Sequence, residues 1–74
     1  MDIQNLVKMA NQIGAFFESM PDREQAKADI ATHLKKFWEP RMRKAIVEGL
    51  STPATEGLSA IVREAIDGHR GGLT

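Results

Sequence analysis

Three prolines, Pro21, Pro40 and Pro53, cut the chain into stretches, and each stretch repeats its apolar residues with a helical period. Proline removes a backbone donor and biases the residue before it away from the helical conformation, so it marks where a helix stops or restarts. Before Pro21, apolar residues fall at Ile3, Leu6, Val7, Ala10, Ile13, Phe17 and Met20. That spacing predicts a helix, with Asp2 as its cap. Asp22-Arg23-Glu24-Gln25 resembles a capping box that opens a second helix. Ala26, Ile30, Leu34 and Phe37 share its inner face, with Trp38 at the edge. Proline is tolerated in a first turn, so a third helix is expected from Pro40 through Met42, Ala45, Ile46 and Leu50, ending near Ser51. A kinked continuation of the second helix is the competing reading. Residues 51–57 are loop chemistry, and a last helix carries Leu58, Ile61, Val62, Ala65 and Ile66. Asp67-Gly68 terminates it.

The expected fold is therefore all-α: one domain, a small bundle of three to four helices over residues 1–67, with a disordered tail at 68–74. The expected core is Leu6, Val7, Ala10, Phe17, Ile30, Leu34, Phe37, Ile46, Leu50, Leu58, Ile61, Val62 and Ile66.

A bundle of 74 residues lies near the lower limit for folding alone. A core this small rarely supplies more than about 3–5 kcal/mol without a staple. The chain has no cysteine, which removes disulfides, zinc ribbons, iron–sulfur clusters and thiol nucleophiles. Its two histidines, His33 and His69, make a poor metal site. The remaining staple is another protein chain. Ten basic residues balance ten acidic ones, which argues against nucleic acid as a partner. No apolar run is long enough to span a membrane, and the start lacks the pattern of a signal peptide, so the expected location is cytoplasmic.

The first helix carries more apolar surface than one core requires. Ile3, Leu6, Val7, Ala10 and Phe17 form one ridge, and Met9, Ile13, Phe16 and Met20 form a second beside it. Either this helix packs against two neighbours at once, or Met9, Phe16 and Met20 dock on another subunit. Gly14 has the same two readings: close helix packing, or room for a partner's backbone. A second candidate region lies at residues 33–44. Lys35, Lys36, Arg41, Arg43 and Lys44 face a single acid, Glu39, a local charge of +4 around Phe37 and Trp38. Solvated lysines and a packed His33 are the plain reading. An acidic patch on a protein partner is the functional one, with Arg41 and Arg43 offering bidentate forks and Trp38 an anchor. The candidate interface residues are thus Met9, Phe16, Met20, Trp38, Arg41 and Arg43. No nucleophile motif, paired carboxylates or phosphate loop suggests an enzyme, so neither a catalytic residue nor a cofactor ligand is assigned.

Two blocks resemble a known family. Met9-Ala10-Asn11-Gln12-Ile13-Gly14, then Phe16-Phe17 and Pro21-Asp22, is similar to the N-terminal signature of formate dehydrogenase delta subunits. His33-Leu34, then Phe37-Trp38-Glu39-Pro40-Arg41-Met42-Arg43, resembles that family's more specific second block. Leu58, Val62 and Ala65-Ile66 are similar to its last helix, so the resemblance covers about residues 3–67. It implies an accessory, non-catalytic subunit of a soluble NAD-dependent formate dehydrogenase, which oxidises formate to carbon dioxide. The alpha subunit of such complexes holds bis-molybdopterin guanine dinucleotide with molybdenum or tungsten, and iron–sulfur clusters. The beta and gamma subunits carry FMN and further clusters that pass electrons to NAD. Two roles follow from the resemblance: docking on the alpha subunit to stabilise the complex, or assisting cofactor insertion beside a dedicated chaperone. An independent helical adaptor is the alternative outside the family, and self-association of the isolated chain through its exposed ridge is a further expectation.

Overall fold

The computed structural model describes residues 2–74. Its elements in order are α1 (Ile3–Phe17), α2 (Arg23–Phe37), α3 (Pro40–Gly49), a 3-10 turn (Pro53–Thr55), α4 (Ala60–Gly68) and the single turn α5 (Arg70–Leu73), with no strand among the described residues. Each break has a local cause. The Asp2 carboxylate accepts from the Gln4 amide at 2.9 Å and opens α1. Asp22 accepts from the Gln25 amide at 3.2 Å and opens α2. Only half of the expected capping box forms, because the Gln25 side chain turns forward and donates to Asp29 at 2.8 Å. Glu39, held extended before Pro40 at φ −63° and ψ 151°, separates α2 from α3. Pro40 therefore opens a new helix and does not kink the old one.

The core is one cluster in which α1 lies against α2, α3, α4 and the 3-10 turn. The central position of α1 explains why two ridges of this helix are apolar. Its first ridge places Leu6, Val7 and Ala10 in the core. Met9, Ile13 and Met20 of the second are half-buried against that core, while Phe16 is 77 % exposed. Gly14 is a close-packing site. A Cβ built there would fall inside 3.0 Å of Val62 Cγ2 on α4, so α1 and α4 touch at this point with no room for a methyl.

Polar contacts fix the loop between α3 and α4. The Asn11 side-chain amide donates to the Gly57 carbonyl at 2.8 Å, and its oxygen accepts from the Ser59 amide at 2.9 Å. Gln4 donates to the Ala54 carbonyl at 2.8 Å. Thr55 is fully buried, and its hydroxyl donates to the Gly49 carbonyl at 2.9 Å. Arg63 reaches back from α4 to donate to the Leu50 carbonyl, left open where α3 ends, and to the Thr55 carbonyl of the 3-10 turn. On the opposite side Glu64 of α4 meets Arg23 at 2.9 Å and Lys27 at 3.5 Å on α2. The hydrogen bond from Arg23 is the main cause that holds the Glu64 carboxyl below its ordinary pKa.

Several expectations need correction. Phe37, expected in the core, is 71 % exposed, and Trp38, expected at an interface, is 6 % exposed. The buried face of α2 runs through Ala26, Ile30, Ala31 and Leu34, and Trp38, which leaves the helix with extended backbone, turns inward in place of Phe37. Phe17 and Leu50 pack against the core but are only half-buried. The tail expected to be disordered instead forms α5, and Leu73 is 2 % exposed. Its physical reason is that Leu73 is a large apolar side chain within reach of a surface left on α2 and α3.

Candidate partner interface

The exposed large hydrophobic side chains of the described residues are Phe16 and Phe37. They come from different helices yet belong to one surface. The rings of Phe16 and Phe17 meet edge to face at 5.1 Å between centroids. Phe17 lies 6.3 Å from the His33 ring, and His33 lies 4.7 Å from Phe37. Four consecutive rings therefore cross from α1 to α2. Residue spacing explains the line: His33 and Phe37 are four apart on α2, and Phe16 and Phe17 end α1 beside them.

Two depressions flank the rings. One, of about 340 Å³, lies between α1 and α2 and is walled by Gln12, Ile13, Phe16, Phe17 and His33. The other, of about 210 Å³, runs along α2 past His33 and Phe37, with Asp29 and Lys36 on its border. A further hollow of about 510 Å³ opens at the other end of α1, where Met9 meets Glu39, Arg41 and Met42. Aromatic rings left in water cost free energy unless something covers them, and aromatic residues concentrate at interface cores.

The six residues expected at an interface separate into distinct environments. Phe16 is fully part of the aromatic surface. Met9 and Met20 are half-buried and pack mostly inward. Trp38 is in the core, so its contribution to any contact is indirect: it positions the end of α2. Arg41 is exposed and lies 3.7 Å from Glu39. Arg43 turns inward and donates to the Lys35 carbonyl at 3.4 Å, near the end of α2. The positions missed were Phe37 and the half-buried pair Phe17 and His33. No signal in the sequence separates Phe37 from its neighbour Trp38; the extended backbone with which Trp38 leaves α2 decides which ring turns inward.

Among the described residues no group of three or more His, Cys, Asp or Glu side chains is gathered as a metal ion requires, and no helix is long and apolar enough to cross a membrane. The fold and this face define a class: a small, single-domain helical protein with an uncovered aromatic surface. Comparison with family models then supplies the particular family. The model described as NADH-dependent formate dehydrogenase delta subunit FdsD matches residues 5–66, and the chain belongs to that family. The matched span contains the whole aromatic surface and stops before α5. Comparisons with curated proteins and with solved structures gave no match.

Proposed function

We propose that this chain is the non-catalytic delta subunit of an NAD-dependent formate dehydrogenase and docks on the catalytic alpha subunit through the rings of Phe16, Phe17, His33 and Phe37. Family membership supports the complex. The observation that carries the docking reading is the exposure of Phe16 and Phe37 in one continuous line of rings. A bundle this small gains stability from a partner that covers such a surface. In this reading the pterin, iron–sulfur, flavin and nicotinamide chemistry belongs to the alpha, beta and gamma subunits, and the delta subunit acts in the cytoplasm as a structural member.

Tagged protein recovered from cells that make formate dehydrogenase, analysed by mass spectrometry and by formate-dependent NAD reduction, tests this. Active complex retained by the unaltered chain and lost from Phe16→Ser/Phe37→Ser is the expected result. Complex retained by that variant refutes the face. Deletion of the chain that leaves assembly intact but yields metal-free enzyme assigns it to cofactor insertion in place of stable docking.

A further inference from the structure

We infer that the α2 part of this surface pairs with a second copy of the chain, antiparallel about a two-fold axis near His33, when no other subunit covers it. The pair is a state of the isolated chain, so the inference goes beyond the docking reading and does not rest on it.

Spacing defines the face. Asp29, Thr32, His33, Lys36 and Phe37 wall one depression along α2. They advance by three, one, three and one, the spacing of a single helix face. Phe37 is 71 % exposed, Thr32 and Lys36 are exposed, and Asp29 and His33 are half-buried. About two turns of α2 thus stand without a cover.

Charge selects the occupant. The face carries one acid and one base. Among the described residues Asp29 has no cation and Lys36 no carboxylate within 4.0 Å, although Arg23, Lys27, Arg41 and Arg70 all have partners. Asp29 accepts from Gln25 through one oxygen, at 2.8 Å, which leaves its other oxygen open. The two charges cannot serve each other, because seven residues along a helix separate them by about 10 Å. A basic partner would oppose Lys36 and an acidic one would oppose Asp29, whereas the image of the face satisfies both. In an antiparallel pair, a two-fold axis between residues 32 and 33 sets residue 29 of each copy opposite residue 36 of the other. Two ion pairs form at once, and each Phe37 ring is carried over the start of the other copy's stripe, where it leaves water. One helix face is smaller than the roughly 1,200 Å² at which stable interfaces begin, so the dimer is weak, with a dissociation constant on the order of 100 µM. At low micromolar concentration the chain is therefore monomeric and its rings are uncovered.

Sedimentation velocity of the full chain, from about 5 to 500 µM in low salt, tests the pairing. The unaltered chain should pass from monomer to dimer over that range. Phe37→Ser should weaken the dimer about tenfold or more. Asp29→Lys and Lys36→Asp each turn two attractions into two repulsions and should each weaken it about tenfold. An equimolar mixture of the Asp29→Lys chain with the Lys36→Asp chain should recover a dimer as tight as the original, since each charge again meets its opposite. Circular dichroism checks that every variant is folded. A chain monomeric at every concentration overturns the inference. So does a dimer indifferent to the charge variants, or a mixture that fails to recover it. Docking is read separately, on the formate dehydrogenase complex: a dimer that fails while complex recovery still depends on Phe16 and Phe37 sinks the pairing alone, and a dimer that forms while complex recovery ignores those rings sinks the docking alone.

Discussion

Replacing Gly14 with alanine should destabilise this protein, against the usual rule. In a helix interior, glycine to alanine gains about 1 kcal/mol from backbone entropy and propensity. Here the new Cβ would fall inside 3.0 Å of Val62 Cγ2, with Ser59 Oγ at 3.6 Å and Ile61 Cγ2 at 3.7 Å on its other sides. Ordinary contact begins near 3.4 Å, so α1 and α4 must part by more than 0.4 Å, the difference between those limits. Val62 has no easy escape: it is fully buried, and a β-branched side chain in a helix has one strongly preferred rotamer. Overpacking of this kind costs about 1–3 kcal/mol, and a stiff, buried neighbour argues for the upper half of that range. Subtracting the helix gain leaves a net loss of about 1–2 kcal/mol. For a domain of this size that lowers the melting temperature by about 4–16 °C. Thermal unfolding by circular dichroism measures it. The decisive comparison repeats Gly14→Ala in a Val62→Ala background, where the obstructing methyl is gone. There the alanine should be neutral or stabilising by up to about 1 kcal/mol. A melting temperature that rises with Gly14→Ala alone, or the same loss in both backgrounds, would refute the packing argument.

Asn11→Ala removes both contacts that fasten the turn before α4, and should cost about 1–3 kcal/mol in urea unfolding. Asn11→Asp, which keeps the acceptor for the Ser59 amide and loses the donor to Gly57, should fall between the two. Leu73→Ala should lower stability by about 1–3 kcal/mol and raise hydrogen exchange over α5, because Leu73 is the buried side chain of that turn. The Glu64 carboxyl titrates below its ordinary value of 4.5, chiefly through its hydrogen bond from Arg23. Its contribution is therefore complete above pH 4.5 and is lost as pH falls through the lowered value. Melting temperatures taken from pH 6 downward should drop more steeply for the unaltered chain than for Glu64→Gln, by a margin that added salt shrinks.

The helices were legible because their signals are local. Asp2, Asp22 and Pro40 each act within one turn of themselves, and each lies where its helix begins. The close-packing reading of Gly14 was also open in the sequence, but only the position of Val62, 48 residues away, decides it. Similarly, the Asn11-Gln12-Ile13-Gly14 block that carries the family resemblance does two fold-building tasks: Asn11 fastens a distant loop, and Gly14 admits α4. The aromatic face was half legible. Phe16 followed from a surplus of apolar positions on α1, whereas Phe37 and Trp38 are adjacent and large, so composition cannot tell which turns inward. Their assignment depends on α2 ending at Phe37 and on Trp38 leaving it with extended backbone, φ −89° and ψ 139°. The C-terminal turn was illegible for a different reason. Gly68, Gly71 and Gly72 give it weak helical propensity, and the burial of one leucine outweighs that only in the folded bundle.

The central claim is that the rings between α1 and α2 are covered by the catalytic subunit. Hydroxyl-radical footprinting of the chain, free and within the assembled complex, reads it at the side chains themselves. Phe16 and Phe37 should be strongly modified when free and protected in the complex, while exposed His69 changes little. Equal modification of Phe16 and Phe37 in both states, in a complex shown to contain the chain, would contradict the account.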